Sequence, residues 1–143
     1  MNEMNQSQLL LQNIKAVFRG ITEAPANLSA QEIRKLSAQQ FQSIFNDLKV
    51  QIKGSEYLPY ERGSIFIYNH LNNHPSLVAA DHFQITLDSH YNSGLLYQYY
   101  KNQGIGVARH SLASESNRKA YYDRFDYIRV YSKNFIHDHL TKK

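Results

Sequence analysis

The spacing of apolar residues changes period near residue 50, and that change limits what the chain can fold into. Between residues 6 and 21, Leu10, Ile14, Val17, Phe18 and Ile21 recur at three- and four-residue intervals, the mark of a helix with one apolar face. Gly20 and the stretch from Thr22 to Asn27, which includes Pro25, read as its stop and a loop. Ser29-Ala30-Gln31-Glu32 then forms a capping box, with Ser29 accepting from the Glu32 amide while the Glu32 carboxylate accepts from the Ser29 amide. It opens a second helix whose apolar positions are Ile33, Leu36, Phe41, Ile44, Phe45 and Leu48.

From Val50 onward the signals are those of a sheet. Val50-Gln51-Ile52-Lys53 alternates as a short strand, and Leu58 to Gly63 is a turn or loop. Ser64-Ile65-Phe66-Ile67-Tyr68 is an almost unbroken apolar, β-branched run, which predicts a central strand buried on both faces. It ends at the polar stretch Asn69 to Pro75. Ile85-Thr86-Leu87 is the next candidate strand, residues 89–102 and 116–125 read as helices, and Ile105 to Ala108 and Tyr127 to Tyr131 as further strands. Strands alternating with helices predict an α/β fold, in which an N-terminal helical pair precedes a small mixed, largely parallel sheet with flanking helices. The corresponding division is a helical lead-in over 1–49, an α/β domain over 50–132 and a tail over 133–143.

Composition sharpens that division. All 11 Tyr and all 7 His stand at or after Tyr57, so ionisable-site chemistry is expected in the second part. The 143 residues include no Cys, which excludes thiolate metal sites and cysteine nucleophiles. The net charge of +4 is spread along the chain without a basic stripe, so nucleic acid is not an expected partner. A mildly basic surface suits anionic lipid or a phosphorylated small molecule, and Leu9 to Leu11 widen an apolar helix face that can lie on a membrane. With no long apolar run and no basic-then-apolar leader, the expected location is the cytoplasm, with peripheral attachment to the inner face of the membrane as an option.

Ligands in open α/β sheets gather at the carboxyl ends of strands, and the run 64–68 would deliver Asn69 and His70 to that edge. A histidine there can act as a general base, provided its other ring nitrogen has an orienting acceptor.

These residues also carry a likeness. Gly54-Ser55-Glu56-Tyr57-Leu58-Pro59, the apolar run 64–68, Asn69-His70 and Ile105-Gly106-Val107-Ala108-Arg109 together resemble the first part of the glycerophospholipid acyltransferase family. That family has a Gly-x-Glu-x-Leu-Pro approach, an apolar strand, an Asn-His-x4-Asp motif and a small-residue strand ending in Arg. The resemblance covers about sixty residues and implies acyl transfer from a thioester donor, acyl-CoA or acyl carrier protein, to the hydroxyl of a glycerophospholipid-type acceptor. It implies no further cofactor. His70 would be the base, and Asn69 and Arg109 would bind substrate, Arg109 through the acceptor phosphate. Position 75, where the family has its Asp, is Pro75, so the orienting carboxylate would have to be Asp81 or Asp88.

Two other readings stay open at this level. A catalytically inert relative would keep the scaffold as a binding domain; the family's later Phe-Pro-Glu-Gly segment has no counterpart here. Alternatively, His70, His74, Asp81, His82, Asp88 and His90 could supply metal ligands, although Pro75 opposes the helix that a His-x-x-x-His pair needs.

Overall fold

A computed structural model of the chain describes residues 5–61, 63–71, 74–78, 83–112 and 115–131. Over these residues the architecture is mixed α/β and rich in helix: α1 (Gln6–Thr22), α2 (Ala30–Asp47), α3 (Leu87–Tyr100), β1 (Val107–Arg109), α4 (Ser116–Phe125) and β2 (Ile128–Val130). The capping box at Ser29 and Glu32 forms with both reciprocal bonds, the carboxylate accepting from the Ser29 amide at 2.8 Å. A second box, unread in the sequence, starts α1 at Asn5 and Gln8. The apolar face of α1 is buried as its spacing requires, at Ile14, Val17, Phe18 and Ile21, and that of α2 at Ile33, Phe41 and Phe45, whereas Leu36, read into the same face, is 50% exposed.

One core joins these faces to the second half of the chain. Phe18 stacks on Phe83 at 5.0 Å and on Tyr121 at 5.2 Å, and Phe83, Ile85, Tyr121 and Phe125 complete the cluster. Buried Arg34 of α2 donates to the Phe125 carbonyl at the end of α4. Arg124 of α4 donates to the carbonyls of Ala24 and Pro25, at 2.7 and 2.8 Å, in the loop between α1 and α2.

Helices α2 and α3 meet at Gly94, where an added Cβ would lie 2.9 Å from the Gln42 amide nitrogen and 3.2 Å from its Cα. That clash is with backbone, which cannot swing aside, so Gly94→Ala is expected to lower stability by about 1–2 kcal/mol even after alanine's helix advantage of about 1 kcal/mol. Urea unfolding of the two proteins measures the difference.

The sheet is smaller than the sequence predicts. β1 and β2 pair in parallel, with Val107 opposite Ile128 and Arg109 opposite Val130, and α4 supplies the crossover between them. The expected strand at 50–53 is not formed, and Val50 and Ile52 are exposed. The expected strand at 85–87 is not formed either: a single antiparallel bridge joins Val78 to Gln84 just before it, and Leu87 starts α3.

The largest correction concerns residues 64–68, which do not form a buried central strand. Their outward side chains Ile65 and Ile67 are 90% and 93% exposed. The segment nevertheless keeps the two-residue alternation of extended chain. Phe66 meets the Tyr100 ring, Tyr68 donates to the Ser89 hydroxyl at 3.0 Å, and His70 bonds Asp88, so one face lies along α3. Among the described residues no strand pairs with it, and the opposite face is left open.

Candidate functional site

His70 reaches its position through this alternation. Phe66, Tyr68 and His70 face α3 in turn, and the Tyr68 ring stands edge-on to the His70 ring at 5.6 Å. Asp88 lies in the first turn of α3 with only 9% of its surface exposed, whereas the His70 side chain is 65% exposed. Their Nδ1 and Oδ2 atoms are 2.6 Å apart, and the same carboxylate oxygen accepts from the Leu71 amide at 3.3 Å. A carboxylate can only accept, so Nδ1 of His70 carries the hydrogen. Nε2 is then left with its lone pair on the exposed edge of the ring, the arrangement a general base requires.

Of the two carboxylates named from the sequence, Asp88 is therefore the one the fold brings to His70, across eighteen positions of chain. Asp81 lies outside the described residues. Asn69 points with the exposed side of the segment. Arg109 stands elsewhere in the bonding pattern: its two terminal nitrogens reach the two oxygens of Glu115, at 3.0 and 2.5 Å, and Nη1 also donates to the His110 carbonyl. The Arg109 hydrogen bonds are the main reason the Glu115 carboxyl falls to about 2, helped by the Leu112 amide and Arg118. A phosphate seeking Arg109 thus has a carboxylate to displace.

The other histidines are engaged differently. His74 Nδ1 accepts from the Ser76 amide at 3.2 Å and caps the short turn Pro75–Leu77. His90 is buried; its Nδ1 faces the Thr86 carbonyl, its Nε2 lies 2.9 Å from the Tyr121 hydroxyl, and the Phe41 ring stands edge-on at 4.4 Å. Among the described residues His70, His74, Asp88 and His90 do not converge as metal ligands. His82 lies outside the described residues.

Away from the pair, a cleft of about 140 Å³ opens between the extended segment and the far end of α3, with Ser64, Phe66, Leu96, Tyr100 and Asn102 in its wall. Tyr100 also donates to the Pro59 carbonyl at 2.7 Å, which ties the preceding loop to the same helix. Sequence reasoning missed the tyrosines' part in the site. The signal that could have shown it is the two-residue rhythm Phe66, Tyr68, His70, which puts three polarisable rings on one face.

No family model, no curated protein and no solved structure matches this chain.

Proposed function

We propose that this chain is an acyltransferase-like protein that moves an acyl group from a thioester, acyl-CoA or acyl carrier protein, to the hydroxyl of a glycerophospholipid-type acceptor. The observation that carries the reading is the His70–Asp88 pair, an exposed imidazole oriented by a buried carboxylate at 2.6 Å. His70 Nε2 takes the proton from the acceptor hydroxyl as its oxygen attacks the thioester carbonyl carbon. When the tetrahedral intermediate collapses, the C–S bond breaks, and the proton on His70 passes to the departing thiolate. The acyl group is thereby transferred with the net loss of nothing but the free thiol, and no cofactor beyond the thioester is required.

The surroundings fit a lipid substrate. Ile65, Ile67 and Leu71 are exposed along the segment that carries His70, which suits work at a membrane surface rather than within it. Among the described residues no helix is long and apolar enough to cross a membrane; this reading has the protein attach to the inner face from the cytoplasm. In this reading the helical pair is the lead-in to the α/β part, Asn69 borders the acceptor, and Arg109 contacts the acceptor phosphate after leaving Glu115.

A second reading, an inert relative that serves as a binding domain, is favoured by one observation, the occupied fork of Arg109. Thiol release from acyl-CoA, with glycerol phosphate or a lysophospholipid as acceptor, separates the two. Acceptor-dependent release by the full chain that His70→Ala abolishes supports acyl transfer. Equal rates for the two proteins, or none for either, leave the binding domain.

A further inference from the structure

The start of α3 has to be fixed if Asp88 is to hold its place, yet Thr86 at its N-cap makes no side-chain cap. An uncapped first turn frays, because its amides lack partners. A different tie holds this turn, through the Thr86 carbonyl rather than through its amides. One turn on, His90 folds its ring back so that Nδ1 meets the Thr86 carbonyl, which also accepts from the His90 amide at 3.3 Å. A carbonyl can only accept, so the hydrogen is on Nδ1 and Nε2 is an acceptor. The Tyr121 hydroxyl, 2.9 Å away, is the donor that fixes this tautomer. Both side chains are buried, the His90 ring is held edge-on by Phe41 of α2, and the Tyr121 ring is packed against Phe18, Phe83 and Phe125.

We propose that His90 and Tyr121 are positioning residues for the His70–Asp88 pair, a buried relay that anchors the first turn of α3 to α4 and so aims the Asp88 carboxylate. The proposal rests on the acyl-transfer reading for its kinetic consequence, while its structural consequence can be read without any activity. Removing the Tyr121 hydroxyl leaves Nε2 of His90 buried without a donor and cuts the ring's tie to α4, so the Thr86 carbonyl alone holds the imidazole. The turn then loosens, and a carboxylate displaced by a fraction of an ångström orients His70 poorly. Misplacement on this scale is expressed in the rate rather than in substrate binding.

Tyr121→Phe keeps the ring and its packing. It is expected to lower kcat about 10- to 100-fold with little change in KM for the thioester. In proton NMR of the full chain, the His70 Nδ1 hydrogen held by Asp88, assigned by its loss in His70→Ala, is expected to be sharp in the parent protein and to broaden in Tyr121→Phe. A second pair of variants covers failure of that one to fold. The amide nitrogen of His90→Asn can take the place of Nδ1 and keep the Thr86 bond, whereas His90→Gln reaches toward Tyr121 instead, so the Asn variant should retain the sharper His70 signal and the higher kcat. If Tyr121→Phe folds with unchanged kcat and an unchanged His70 resonance, or if the two His90 variants rank in reverse, the relay is overturned. If His70→Ala turns over as fast as the parent, acyl transfer by His70 falls, and the NMR comparison still decides the relay.

Discussion

Asp88→Asn is expected to reduce acceptor-dependent thiol release by about 10³- to 10⁴-fold while leaving the fold intact. The side chains have the same shape, and Asn can still lie in the first turn of α3. What changes is the tautomer. Asp88 now accepts from both His70 Nδ1 and the Leu71 amide through one oxygen. In the variant, an amide nitrogen turned toward Nδ1 donates to it, which moves the imidazole hydrogen to Nε2 and removes the lone pair that must take the acceptor's proton. An amide oxygen turned toward Nδ1 keeps the tautomer but supplies no negative charge to steady the imidazolium as it forms. Either orientation slows the proton transfer. Chain melting followed alongside the assay keeps a loss of rate apart from a loss of structure. A folded Asp88→Asn protein within tenfold of the parent rate would remove Asp88 from the mechanism and leave His70 acting alone.

Why the sequence pointed to His70 but left its partner open between Asp81 and Asp88 has a physical answer. Local spacing reports what lies within a turn or a strand, and His70 follows directly on an extended apolar run. Its partner comes from the next helix, eighteen positions on, and which residue arrives there depends on where that helix starts. The start was read at Ser89, whereas α3 begins at Leu87 and takes Asp88 into its first turn. The same limit explains the error at 64–68. An apolar, β-branched run specifies extended backbone, and extended backbone with two-residue alternation is what forms. Burial of its second face is a property of neighbours distant in sequence, and among the described residues α3 lies along the first face while Ile65 and Ile67 on the second stay exposed. The two N-terminal helices, by contrast, were legible almost residue by residue, because Ile14, Phe18, Phe41 and Phe45 recur with a period that one apolar face alone can satisfy. Arg109 was found as a strand-end arginine, but its pairing with Glu115 depends on the turn into α4, for which no local pattern speaks.

Burial of His90 makes the protein sensitive to acid in a definite window. Its imidazole falls from the ordinary 6.5 to about 4, chiefly because burial penalises the cation, with the Thr86 carbonyl and the Asp88 charge acting weakly the other way. The groups facing it from other elements offer no compensation: Tyr121 of α4 has its hydroxyl pushed well above its usual range and stays neutral, and Phe41 of α2 presents a ring edge. Above pH 6.5 the residue is neutral in both states and the stability is fully present. As pH falls from 6.5 toward 4, the unfolded chain takes up a proton that the folded protein refuses, so stability drops by about 1.4 kcal/mol per pH unit at most. The loss approaches about 3 kcal/mol at pH 4 and then levels off as the folded protein also protonates. Glu115, lowered to about 2 by Arg109, contributes below its ordinary 4.5 and so lies at the acid edge of this window rather than within it. His90→Gln lowers stability at neutral pH but carries no group that titrates there, so urea unfolding from pH 7.5 to 4.5 should show a markedly flatter profile for the variant. Parallel profiles would mean that His90 takes up its proton at the same pH folded and unfolded, and the buried neutral tautomer that links Tyr121 to Thr86 would go with it.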